Sequence, residues 1–400
     1  MQPFTGSFTQ QEALDDDAIL AATDVLRSGR LHRYNTVGEE LSLASQLEQA
    51  FAAYQGAHYC LACASGGYAM AIALRAAGLQ QGEAVLTNGF TLAPVPGAIT
   101  AAGGKPLLVE ITEEMVIDLD DLECKAVESK ARFLLLSNMR GHLADMDRLS
   151  QIVRKYGLIL IEDCAHTMGA AWNGIKSGNF GLAGCFSTQT YKHLNSGEGG
   201  LLTSDDPEFM ARAIILSGSY MLYERHGAAP PPQVFERVRL ETPNMSGRMD
   251  NLRAAILLPQ LARLDESIQR WNQRYREVEK GLAGVDGLVL RHRCDQESFV
   301  GSSIQFRLPG IDANAARAFI ADAKALGVEL KWFGNDDPVG FTSNHKSWRY
   351  VEAQQLPGTD RILAGLFDMR LPLTFSLEDC RHVAAIIAHC AAPRVMAQAS

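Results

Sequence analysis

A chain of 400 residues that is 47% apolar can bury a large core and predicts two domains rather than one. With 37 Lys and Arg against 46 Asp and Glu, its formal charge of -9 excludes the electrostatic footprint of a general nucleic-acid or anionic-membrane binder. No apolar run reaches the ~18 residues of a membrane span, and Met1-Gln-Pro-Phe-Thr-Gly lacks a charged-then-apolar leader, so a soluble, cytoplasmic protein is expected.

Taken in chain order, residues 10–30 predict a helix, because Ala18, Ile19, Ala22, Val25 and Leu26 recur at three- and four-residue spacing. A polar, basic loop, Gly29-Arg-Leu-His-Arg-Tyr-Asn35, follows, and residues 37–54 return to helix. His58–Ala62 predicts a strand, leading into Ala64-Ser-Gly-Gly-Tyr-Ala-Met and a helix. That order makes Ser65, Gly66 and Gly67 candidates for a phosphate, because free N–H groups gather at a helix start and glycines permit close approach. The same turn also suits a plain helix cap.

Strands are expected at 84–87, 105–111, 131–137 and 158–163, with helices ending near 102 and over 145–156. Continuous apolar strands alternating with amphipathic helices predict an α/β, doubly wound, mostly parallel sheet. Two further strands, 184–189 and 200–204, flank a loop centred on Lys192, and a helix is expected over 207–226. A long helix runs to about 282 with a break near Leu264. Strands at 287–291, 302–308 and 328–332 and helices at 313–326, 358–367 and 376–391 predict a smaller α+β domain. The expected boundaries are 1–260 and 261–400. Several of the eight cysteines sit in apolar context, which suits reduced, buried thiols; Cys60-Leu-Ala-Cys63 has no second pair at zinc-site distance, so no metal site is expected.

Lys192 lies among small, hydroxyl-bearing and glycine residues between two apolar runs, the setting of a Schiff-base lysine or of a surface lysine in a polar loop. Asp163 favours the first reading, since a carboxylate ending a buried strand points into the crevice where open α/β sheets bind ligands. Pyridoxal 5'-phosphate (PLP) needs such a pair: an amine for its aldehyde and an acid for its pyridine nitrogen. His166 suits contact with a planar cofactor or a core position satisfied by backbone, and the Ser187 hydroxyl suits phosphate.

Ile161-Glu-Asp-Cys-Ala-His-Thr-Met-Gly-Ala170, the Phe186-Ser187…Lys192…Gly197-Glu-Gly-Gly200 segment, Arg248-Met-Asp…Ala254-Ala-Ile256 and Leu371-Pro-Leu373 stand in one order along nearly the whole chain. Together they resemble the DegT/StrS-type sugar aminotransferase family of fold-type-I PLP enzymes. The resemblance implies a homodimer with shared active sites, an amino-acid donor, usually glutamate or glutamine, and a keto-sugar as carbonyl acceptor. It places Lys192 at the Schiff-base lysine, Asp163 at the pyridine-nitrogen partner, His166 against the ring, Ser187 and Ser65–Gly67 on the phosphate. A non-sugar carbonyl or aminocyclitol precursor is the alternative acceptor. A dehydratase of this fold carries histidine where these enzymes carry lysine, which makes His193 the residue to compare.

Three positions depart from the family pattern. Gly67 stands for its usual threonine. Leu92 stands where an aromatic commonly stacks on the ring, making Phe90 the candidate substitute. Ser246 stands for a partner-subunit asparagine on the phosphate, a role open to Asn244 or Ser246. Arg30, Arg33, Tyr34, Arg225 and Arg248 are the candidate substrate contacts, with interface or surface roles as their alternatives. Trp332, Phe333 and Trp348 line a pocket or pack a core.

Overall fold

The computed structural model describes residues 1–398. Strands β1 (Tyr59–Cys63), β2 (Ala84–Asn88), β3 (Lys105–Val109), β4 (Phe133–Ser137) and β5 (Ile159–Asp163) alternate with helices α1 (Asp16–Ser28), α2 (Leu43–Gln55), α3 (Gly66–Ala76), α4 (Pro94–Ala101), α5 (Leu119–Ser129) and α6 (Met146–Tyr156). Two short strands, β6 (Ala171–Trp172) and β7 (Ile175–Lys176), precede β8 (Ala183–Ser187) and β9 (Gly200–Ser204). The large sheet has seven strands in the order β1-β9-β8-β5-β4-β2-β3. Only β9 runs against the others, pairing antiparallel with both β1 and β8.

Helices cover both faces, which is why the strands read as unbroken apolar runs. Leu135 and Ile161 pack toward α3, α4, α7 (Pro207–Leu216) and α8 (Pro232–Val238). Their neighbours Leu134 and Leu160 pack toward α5 and α6. Complete burial of one such leucine is worth roughly 1.5–3 kcal/mol. The same alternation separates Cys60 from Cys63: three residues apart on β1, they enter the cores on opposite faces of the sheet. That geometry prevents a shared metal or disulfide.

Helices α9 (Asn251–Ala262) and α10 (Leu264–Leu282) meet at Arg263, so the expected break falls there. A second, antiparallel sheet follows, ordered β10-β12-β14-β13. Its strands are β10 (Val289–Leu290), β12 (Ser303–Arg307), β13 (Lys331–Trp332) and β14 (Leu366–Arg370), while β11 (Glu297–Ser298) joins β6. Helices α10, α11 (Ala313–Ala325) and α13 (Leu377–Gln398) pack around it, and α12 (Pro357–Ala364) precedes β14. No described helix is long and apolar enough to cross a membrane.

Several local readings change. The helix expected at 358–367 stops at Ala364, because Leu366–Arg370 pairs with β12 over five residues and gains more there than from another helical turn. The helix expected to reach 226 ends at Leu216, where Ser217 and the left-handed Gly218 (φ 98°) turn the chain. Helix α5 carries too few apolar residues for its periodicity to stand out. The first residues pack against distant parts of the chain: Phe4 donates its N–H to Leu326 O at 2.9 Å, and the Phe4 and Phe8 rings sit edge-on to Phe375.

Candidate active site

The parallel strands β1, β4, β5 and β8 all end on one edge of the large sheet, and a cavity of about 370 Å³ opens there. Asp163 ends β5, with its side chain buried under the cavity. Its Oδ1 accepts from the Ala165 N–H at 3.1 Å and its Oδ2 from the Ser137 hydroxyl at 3.2 Å. Burial raises its pKa, against the lowering by those donors and Lys192. Glu162, one residue earlier, points to the opposite face and ties down the glycine-rich loop through the N–H groups of Gly178 (2.9 Å) and Phe180 (2.8 Å).

Ser65 caps α3, its hydroxyl accepting from the Tyr68 N–H at 3.0 Å, while Gly66 and Gly67 line the cavity. The close approach of the α3 start to β8 and β9 explains the glycines. A Cβ on Gly66 would lie 2.9 Å from Cβ of Ser187, and one on Gly200 would lie 2.4 Å from the Ser65 carbonyl carbon. Gly67 is different: a Cβ there would meet nothing nearer than 3.9 Å.

The loop after β8 brings Lys192 into the same cavity. Its Nζ lies 2.7 Å from Nε2 of His166. Burial, then the charge of Arg140, pushes the amine down to about 7, although Asp163 opposes the shift. Burial and the Lys192 charge hold His166 well below its usual range, so its imidazole is neutral. His193 turns away: its ring packs edge-on against Trp271 with Nε2 3.0 Å from the Ser302 hydroxyl. The adjacent histidine is therefore not the group that faces Asp163.

Ser65, Gly66, Gly67, Asp163, His166, Ser187 and Lys192 all line this one cavity. The other candidates lie elsewhere. Phe90 is buried against Phe333, ring centroids 5.0 Å apart, and Leu92 lines the cavity in its place. The apolar cluster behind β2 is closed enough to take the Phe90 ring fully. Arg33 is fully buried in a two-pronged ion pair with Glu48, both bonds 2.8 Å, so it holds a core together rather than a substrate. Tyr34 shares a 2.7 Å bond with His226, whose other ring nitrogen lies 3.3 Å from Glu48.

Arg225 donates to the Tyr34 carbonyl at 2.8 Å, Arg248 to the Gly218 carbonyl at 2.5 Å, and Arg30 pairs with Glu40 at 2.8 Å. None of the five predicted substrate contacts lines this cavity. Asn244 and Ser246 are exposed and also lie outside it; Asn244 accepts from the Tyr220 N–H at 2.9 Å. Trp332, Phe333 and Trp348 are buried and pack cores.

Three basic residues that sequence reasoning passed over do line the cavity: Arg140, Lys331 and Arg370. The left-handed backbone of Arg140 (φ 55°) sits in the turn after β4, and no spacing signature marks any of the three.

The family model for the DegT/DnrJ/EryC1/StrS aminotransferase family matches residues 12–388. The chain is 33% identical to an L-glutamine:scyllo-inosose aminotransferase of Streptomyces griseus over 75% of this chain and 67% of that one. It is 31% identical to a UDP-2-acetamido-2-deoxy-3-oxo-D-glucuronate aminotransferase of Pseudomonas aeruginosa over 69% of this chain and 72% of that one. In fold it is similar to Spr1654 of Streptococcus pneumoniae solved in its PLP form, with TM-score 0.80 and 18% identity over 98% of this chain and all of the other.

Proposed function

Because the chain belongs to the DegT/DnrJ/EryC1/StrS aminotransferase family and is an aminotransferase, we propose that it carries PLP on Lys192 and moves an amino group from glutamate or glutamine to a sugar-like carbonyl acceptor. The observation that carries this reading is the meeting of one depressed amine, one buried carboxylate and one open helix start in a single cavity. These groups fit the cofactor. The Ser65–Gly67 turn and the Ser187 hydroxyl would hold its phosphate, Asp163 would accept from its pyridine N–H, and Lys192 would attach to its aldehyde. Bound there, PLP supplies an electron sink and a carrier for the amino group.

The residues of the chain do the rest. Lys192, as the free amine, would take the proton from the donor's α-carbon and hand it on within the same half-reaction, and would run that transfer in reverse onto the acceptor's carbon in the second half of a ping-pong cycle. An amine with a pKa of about 7 is matched to that task near neutrality. Neutral His166, 2.7 Å away, holds the amine in place. Leu92 offers an apolar face where an aromatic would stack.

We further propose a homodimer in which Asn244 and Ser246, exposed on this chain, reach the partner's cavity. We divide the chain at residue 260, with Lys331 and Arg370 supplied by the second domain. Eight free cysteines suit a reducing, cytoplasmic compartment. A non-sugar acceptor remains the second reading, because the relatives' named acceptors include a cyclitol.

The test is the visible spectrum of the purified protein with added PLP. L-glutamate or L-glutamine should bleach the cofactor band and a carbonyl acceptor should restore it. A band that ignores every amino donor contradicts the transaminase reading, and the absence of a band contradicts the cofactor.

A further inference from the structure

Arg140, Lys331 and Arg370 reach one cavity from the turn after β4, from β13 and from β14. One buried carboxylate stands behind them. Asp368 Oδ2 lies 2.9 Å from Nη2 of Arg140 and 3.4 Å from Lys331, and its Oδ1 accepts from Gln305 at 2.7 Å. Arg370 has no carboxylate partner among the described residues; its guanidinium lies 3.6 Å from the centre of the Tyr191 ring. Nε of Arg140 is buried without a hydrogen-bond partner, while Nη2 of Arg140 and Nζ of Lys331 are held by Asp368 Oδ2 as ion pairs. Arg140 also keeps a left-handed backbone (φ 55°, ψ 23°), a strained conformation for a long side chain.

Cations in excess, an unsatisfied donor and backbone strain thus coincide on one wall of the reacting cavity. Unpaired buried donors are costly, and a carboxylate that accepts from them is bound in proportion. We propose that Arg140, Lys331 and Arg370 form a carboxylate-recognition wall, and that the carbonyl acceptor of this enzyme is itself a carboxylic acid. This rests on the transaminase reading. In a ping-pong cycle one cavity receives both substrates, so the wall that takes the donor's α-carboxylate faces the acceptor next. A neutral acceptor leaves the same donors bare, and sites built for a polar group reject analogues that lack it. The wall and the Lys192 amine share one small cavity, so the acid group lies within a few bonds of the reacting carbonyl. A nucleotide diphosphate sits much farther from its sugar's carbonyl.

Two measurements test this. Calorimetric titration of the PLP-loaded protein with malonate, and separately with inorganic phosphate, reads the wall without turnover. Malonate should bind the wild type and bind Arg370→Gln roughly tenfold more weakly or worse; Arg370 breaks no ion pair when replaced, and Lys331→Gln is the second variant. Single-turnover reaction of the amino-loaded enzyme then compares paired acceptors, glyoxylate with glycolaldehyde and 5-keto-D-gluconate with L-sorbose. The acid of each pair should react roughly 10- to 100-fold faster, and Arg370→Gln should lose most of that ratio.

Equal rates within the pairs, an unchanged ratio in the variant, or phosphate binding tighter than malonate overturns the proposal. If neither member of a pair reacts, the malonate titration decides alone. Failure of the transaminase reading shows separately, as a cofactor band that glutamate leaves unchanged while malonate still binds.

Discussion

Nζ of Lys192 and Nε2 of His166 lie 2.7 Å apart, with burial working against a positive charge on either group. The imidazole is neutral, the amine gives up its charge as pH rises through about 7, and the pH behaviour follows. In the cofactor-free protein the rate of PLP uptake should rise with pH through about 7, as the ammonium loses its proton and can attack the aldehyde. Stopped-flow absorbance after mixing the cofactor-free protein with PLP measures this, and a flat profile from pH 6 to 8 would count against the assignment. Lys192→Ala should abolish turnover with an unchanged far-ultraviolet circular dichroism spectrum.

The same depressed pKa predicts a stability trend in the cofactor-free protein. An unfolded lysine binds its proton up to about 10.5 while the folded one releases it near 7. Between those values the unfolded state holds more protons, so stability rises with pH across the window. The contribution is complete above the unfolded value and lost as pH falls through about 7. Lys192→Met should remove this slope in urea titrations; an identical slope in both proteins would refute it.

Asp163→Asn should separate stability from function. Burial makes the ionised carboxylate unfavourable in the folded chain, so the amide should melt at the same temperature or higher before cofactor is added. Turnover should nonetheless fall by about 10²–10⁴, the usual scale for losing a group that controls protonation. Calorimetric melting together with steady-state rates reads both effects.

Neighbouring glycines should behave oppositely. Gly66→Ala places a Cβ 2.9 Å from Ser187 Cβ, an overpacking that costs about 1–3 kcal/mol and should loosen cofactor retention. Gly67→Ala meets nothing within 3.9 Å and should be neutral or stabilising by about 0.4–1 kcal/mol. Paired thermal melts and equilibrium dialysis of PLP distinguish the two.

Arg33 and Glu48 test a corrected assignment. Glu48→Gln leaves the buried Arg33 charge unpaired and should cost about 3–5 kcal/mol. Arg33 first and His226 next among the charges draw the Glu48 carboxyl down to about 2, so its contribution is complete above about 4.5 and lost as pH falls toward 2. Any Arg33→Met protein that folds should keep its KM for both substrates, whereas a large KM increase would restore Arg33 to substrate binding.

The alternation of apolar strands with helices, and hence the doubly wound sheet, was determined by the sequence alone, because the central strands are buried on both faces and show it locally. Ser65–Gly67, Asp163, His166, Ser187 and Lys192 were legible for a related reason: each sits at a strand end or in its next loop, where short-range pattern sets position. Strand β14 was not legible, since its stability comes from pairing with residues some 60 positions earlier. The roles of the basic residues were decided only by tertiary structure. Arg33 reads as a loop cation but meets Glu48 in the core, while Arg140, Lys331 and Arg370 converge from three elements. A charge has no periodicity of its own, so its partner and its purpose are fixed only when the chain folds around it.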